Sequence, residues 1–154
     1  MAASQRTLFR LFYRSRQTPE AAADLDIIVR QVIESSIPNN LAVGLTGLLL
    51  TVHGHFIQAL EGDINAVRST YARISMDPRH YDQRIISQGP AERRLFGDWN
   101  MCASSLASSD KAIISVLDGK RDFDPQALTA ASIQRLLTNV ADIKRRTAVA
   151  SFIV

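Results

Sequence analysis

The chain has 154 residues, 46% of them hydrophobic and 21% charged, with a formal net charge of +3. That length and composition predict one folded domain with a sizeable core and exclude a disordered chain. No apolar run approaches the roughly 20 residues of a membrane helix, the first residues lack an apolar signal-peptide core, and the single cysteine, Cys102, excludes an internal disulfide and a cysteine-rich metal site; together these point to the cytoplasm.

Thr7 to Ser15 alternates, with Phe9, Leu11 and Tyr13 on one face and Arg10, Phe12 and Arg14 on the other, and reads as a first strand. Thr18-Pro19 opens a helix whose apolar face is Leu25, Ile28, Val29, Val32 and Ile33. Pro38 is expected to end it, with Asn39-Asn40 as a loop. Gly44 to Val52 reads as a buried strand, and His53-Gly54 turns the chain into a second arm, Phe56 to Glu61. Gly62 closes that strand and Asp63 caps the next helix, whose inward face is Ile64, Val67, Tyr71 and Ile74. Asp77-Pro78 stops it; Arg84 to Gln88 and Trp99 to Ser104 are the remaining strands.

The order βαββαββ predicts an α+β sandwich of the ferredoxin-like kind, both helices on one sheet face and a ligand groove between them. After Ser104 two amphipathic helices are expected. The first spans Asp110 to Asp118 and the second starts near Pro125, with Ile133, Leu136, Leu137, Val140 and Ile143 inward. The chain thus divides at 104 into a sandwich domain, 1–104, and a helical extension, 105–154, that covers the open sheet face or mediates assembly.

Phosphate-binding glycine loops, nucleophile elbows and zinc motifs are lacking. His53 and His55 read as a solvated pair, Cys102 as a buried small hydrophobe, and Lys144-Arg145-Arg146 as a solvated helix end. The scattered positive charge gives no reason to expect nucleic acid. One residue stands out. Alternation places the amide of Gln58 on the face of Phe56 and Leu60, where an unpaired polar group costs roughly 1–3 kcal/mol. Other polar or aromatic groups converge on the same groove: Tyr13, Asn39, Asn40, Arg73, Asp77, Arg79, His80, and Trp99 with Met101 on the last strand. Each has a plain structural explanation alone, a surface pair of Arg73 with Asp77 for instance; their coincidence argues for a bound polar ligand.

Several separate segments, in order and spacing, resemble the BLUF family of blue-light sensors that use FAD. They are Leu11-Phe12-Tyr13-Arg14-Ser15, Asn39-Asn40, Gly44-Leu45-Thr46-Gly47-Leu48-Leu49, Phe56-Ile57-Gln58-Ala59-Leu60-Glu61-Gly62, Ile74 to His80, and Phe96 to Met101. The resemblance covers about residues 7 to 104; the C-terminal helices resemble short, stand-alone members less specifically. It implies a ferredoxin-like fold with the isoalloxazine ring of FAD between the two helices, flanked by Val32 and Ile74. Asn40, with Asn39 nearby, would meet one carbonyl edge and Arg73 the other. Asp77, Arg79 and His80 would line the outer site. Tyr13 and Gln58 match the photoactive pair, Trp99 and Met101 its two switchable neighbours, and Ser15 a position beside Tyr13.

The expectation is therefore a photoreceptor and not an enzyme, signalling through the last strand and C-terminal helices to a homo-oligomer or a downstream protein. A small flavin-dependent redox enzyme is the alternative that rapid flavin bleaching by NADPH would support. A flavin-free interaction module would be colourless and would have no need of the groove residues.

Overall fold

The computed structural model describes residues 8–52, 54–97, 102–105 and 124–152. The elements in chain order are β1 (Leu8–Gln17), α1 (Pro19–Ala23), α2 (Leu25–Val43), β2 (Thr46–Val52), β3 (His55–Asp63), α3 (Ile64–Ser75), β4 (His80–Pro90), β5 (Cys102–Ser105), a 3-10 turn (Pro125–Ala127) and α4 (Ala130–Phe152). The sheet order is β4-β1-β3-β2-β5. The first four strands are antiparallel neighbours and β5 runs parallel to β2, which is the ferredoxin-like order with one strand added at the edge.

Period-two alternation divides the sheet into two packed faces. Phe9, Leu11, Tyr13, Leu49, Phe56 and Leu60 point to one side, against Val67 of α3 and Val32 and Ile74 at the groove. Phe12, Leu48, Leu50, Val52, Ile57 and Ala59 point to the other, where Ile133, Leu136, Leu137, Val140 and Ala141 of α4 cover them. Those α4 residues follow the spacing of one helical face. Every residue of β2 is buried, because the strand has neighbours on both sides and cover above and below. Gly47 permits its tight approach to β3: a Cβ there would lie 2.1 Å from the Ala59 carbonyl oxygen.

Leu137 is fully buried at the centre of the α4 contact. Leu137→Ala should cost about 2–5 kcal/mol of stability, read as a lowered urea midpoint at unchanged slope. A loss below about 0.5 kcal/mol, the range of an unremarkable surface site, would mean that α4 does not cover the sheet in solution.

Several boundaries differ from the sequence expectation. The first helix breaks at Asp24, whose backbone leaves the helical region, and then runs through Pro38 to Val43. Asn39 and Asn40 are therefore helical. Proline removes one amide donor and disfavours a helical predecessor, but burial of Asn40 and the cap at Gly44 outweigh that. Gly44 adopts φ +70°, and the Leu45 N–H donates to the Asn40 carbonyl at 2.9 Å. Strand β3 continues through Gly62 to Asp63, and β4 spans His80–Pro90, longer than Arg84 to Gln88, because β1 offers it a full-length partner. Asp63 caps α3 as expected, accepting from the Asn65 and Ala66 amides. The expected helix over Asp110 to Asp118 lies outside the described residues.

Candidate functional site

A cavity of about 240 Å3 opens between α2 and α3 above the sheet. From α2 it takes Ile28, Val32, Ser35, Ser36, Asn39 and Asn40; from the sheet Tyr13, Leu49, Phe56 and Gln58; and from α3 and the following turn Thr70, Arg73, Ile74, Asp77, Arg79 and His80. The spacing 28, 32, 35/36, 39 is a single helical stripe, continuous only because α2 passes through Pro38. Thus Tyr13, Val32, Asn39, Asn40, Gln58, Arg73, Ile74, Asp77, Arg79 and His80 share one site. Ser15 does not line it but reaches it through His80. Trp99 and Met101 lie outside the described residues.

The floor is a row across three strands: Tyr13 faces Gln58 on β3, and Leu49 on β2 faces Gln58 from the other side. The Tyr13 hydroxyl donates a short hydrogen bond to Gln58 Oε1. Both residues are buried. Register shifts between β1 and β4 bracket this segment, one at Phe12/Tyr13 and one at Arg14/Arg16. Bulges of this kind re-aim side chains and gather beside functional sites.

His80 closes the end of the groove. Its Nε2 lies 2.7 Å from the Ile74 carbonyl oxygen and its Nδ1 2.7 Å from Ser15 Oγ. A carbonyl only accepts, so Nε2 carries the proton; in the neutral ring Nδ1 then accepts from the serine hydroxyl. The ring stands edge-on to Tyr13 and Phe56, and Tyr71 packs edge-on against Tyr13 with ring centroids 5.1 Å apart. At the mouth, Asp77 pairs with Arg79 through several contacts, and not with Arg73 as the sequence spacing suggested.

The Arg79 hydrogen bonds hold the Asp77 carboxyl below its ordinary range and raise the Arg79 guanidinium in turn. Burial pushes the Tyr13 phenol well above its ordinary value of 10.0, with smaller contributions from Tyr71 and Asp77. A raised phenol contributes stability that is complete below the ordinary value and is lost as pH rises toward the folded one. The folded protein should therefore keep Tyr13 protonated at about pH 10. Wild type and Tyr13→Phe should develop equal tyrosinate absorbance there; an excess of one tyrosine equivalent in the wild type would contradict this environment.

The arrangement suits a flat, partly polar ligand. The groove lining combines aliphatic side chains, Val32 of α2 and Ile74 of α3, with the amide residues Asn40 and Gln58 and the arginines Arg73 and Arg79. The cavity is smaller than the 300–1,000 Å3 common for whole small ligands, so it has room for only part of a ligand of that size. Sequence reading missed Tyr71, Thr70 and Leu49 as neighbours of the site. The spacing 70, 73, 74 on α3 was a usable signal for Thr70; Tyr71 was legible as an inward-facing residue, but its contact with Tyr13 was not. Among the described residues no cluster of His, Cys, Asp or Glu is arranged to hold a metal, and no helix is long and apolar enough to cross a membrane.

The family model described as sensors of blue light using FAD, BLUF, matches residues 8–102. The beta subunit of a photoactivated adenylate cyclase from Euglena gracilis is 35% identical over 106 residues, covering 68% of this chain but 12% of that protein. The chain thus spans a small part of such curated relatives. Among solved structures, the dark state of the BLUF protein BlrB aligns with a TM-score of 0.69 at 29% identity, covering 89% of this chain and 99% of that one. The photo-activated state of BlsA aligns with a TM-score of 0.76, 87% and 94% covered, at 23% identity, and supports the fold.

Proposed function

This chain belongs to the BLUF family of blue-light flavin sensors, and on that premise we propose that the α2/α3 groove holds the isoalloxazine ring of FAD, with Tyr13 and Gln58 as the photoactive pair. The observation that carries the reading is the buried hydrogen bond from the Tyr13 hydroxyl to Gln58 Oε1 on the floor of that groove. Val32 and Ile74 are the residues that would sandwich the ring, Asn40 and Arg73 those that would meet its carbonyl edges, with Asn39 beside Asn40. Arg79, held by Asp77, with His80 behind it, is suited to the phosphate end, because a guanidinium donates in a planar fork.

When bound, FAD supplies a chromophore whose excited oxidised state is a strong one-electron oxidant. Burial keeps the Tyr13 proton on the phenol oxygen in darkness and keeps water from competing for it. Among the described residues the Tyr13 hydroxyl donates to Gln58 Oε1, so a proton leaving Tyr13 has a defined first stop. The Gln58 amide carries an acceptor and a donor on one rigid plane. Exchange of its two ends, or a shift of its proton, reverses what it offers to Tyr13 and to the groove. Ser15 and the Ile74 carbonyl fix the His80 ring, which limits how Tyr13 and Phe56 can move in response. Trp99 and Met101 are the proposed neighbours that respond on the last strand, and a partner protein or a second copy the proposed receiver.

The test is an absorption spectrum of the purified protein before and after blue light. The expected result is a flavin spectrum that shifts reversibly to the red. An unshifted spectrum, or bleaching sustained by NADPH turnover, would overturn the reading. Reconstitution of the apoprotein with FAD and with FMN, followed by fluorescence, decides which flavin is held more tightly.

A further inference from the structure

We propose that Glu61 is the positioning residue that couples the photoactive row to the sheet face covered by α4. Glu61 is fully buried near the end of β3, and four donors fill its carboxylate. Oε1 accepts from Thr46 Oγ1 at 2.9 Å and from the Phe96 amide at 2.7 Å. Oε2 accepts from Arg10 Nε at 3.1 Å and from the Leu95 amide at 3.0 Å. Nothing in the light-sensing chemistry of the groove uses this residue.

Its register makes it informative. Arg10, Glu61 and Thr46 stand directly across β1, β3 and β2, as Tyr13, Gln58 and Leu49 do three residues along the same strands. The two rows are about 10 Å apart and face opposite sides of the sheet. Residues 91–97, which precede Trp99 in the chain, form no helix or strand. They are held by bonds to Glu61 and by Arg94, which donates to Thr46 Oγ1, the Glu61 carbonyl and the Gly44 carbonyl. Phe96 is fully buried, lies edge-on to Phe12, and belongs to the cluster formed with Ile133 and Leu137 of α4. A displacement of β3 at Gln58 therefore has a direct route: along three residues of strand to Glu61, through two amide bonds to Leu95 and Phe96, and through the Phe96 ring to α4.

The inference rests on the light-sensing reading above, and hydrogen exchange on the full-length flavin-loaded protein separates the two. In wild type, exchange at the Leu95 and Phe96 amides should rise roughly fivefold under blue light, the change expected from loosening one hydrogen bond of ordinary net strength. In Glu61→Gln, whose amide nitrogen turns a donor toward these donors, the red shift should persist while that light-dark ratio falls to one. Arg94→Met, which removes the second tether, should raise exchange in both states and leave the ratio intact, an outcome a merely structural staple does not produce. Should Glu61→Gln not fold, Thr46→Val removes one of the four donors and should reduce the ratio at Phe96. A red shift in wild type with equal light and dark exchange, or a wild-type ratio in Glu61→Gln, overturns the proposal. Absence of any red shift in wild type overturns the light-sensing reading itself.

Discussion

A Tyr13→Phe protein is expected to bind flavin, remain yellow and show no red shift under blue light. The substitution deletes one oxygen. It leaves the ring that packs edge-on against Tyr71 and His80, so the groove keeps its shape. What disappears is the phenol that donates to Gln58 Oε1. The stability cost should be modest. Gln58 loses one buried hydrogen bond, of net worth about 0.5–1.5 kcal/mol, and the desolvation of the hydroxyl is no longer incurred. Absorption spectroscopy with flavin content measured on the same sample checks both halves. A photocycle of normal amplitude in this variant would remove Tyr13 from its assigned role.

Gln58→Leu should be as severe in function and worse in stability. Leucine fits an apolar strand face and preserves the neighbours Leu49 and Phe56, yet it cannot accept from Tyr13 or exchange a donor for an acceptor. The red shift should vanish. The Tyr13 hydroxyl, fully enclosed, would then lack its partner, at a cost of about 1–3 kcal/mol. For a chain of this size that corresponds to a fall in Tm of roughly 2–4 °C per kcal/mol. Flavin affinity should also drop, since the amide faces the cavity. Calorimetry and fluorescence titration measure these two effects separately. A light-induced shift of wild-type size in Gln58→Leu would show that the amide is not the switching element.

Alternation was enough to place Tyr13 with Phe9 and Leu11, and Gln58 with Phe56 and Leu60, on the buried helix-facing side. The cap at Asp63 and the inward stripe of α4 were equally legible. Pro38 misled, because a local preference against helix was overridden by burial of Asn40 and by the Gly44 cap, neither of which is visible within a few residues. The short reading of β4 failed for a related reason. Its outer half has weak apolar alternation and is a strand because β1 pairs with it along its length. Asp77 was expected to meet Arg73 one helical turn away, but the helix ends at Ser75 and the turn brings Arg79 closer.

The sequence by itself determined the order of strands and helices up to the last strand, the sidedness of the sheet residues and the family motifs, since each depends on spacing within a short window. Only the tertiary structure decided that Tyr13 donates to Gln58, 45 residues away. It alone joined Ser15 to His80 and set Glu61 against the amides of Leu95 and Phe96. Those contacts depend on cross-strand register and on the side to which each connection returns, and a periodic pattern does not encode either.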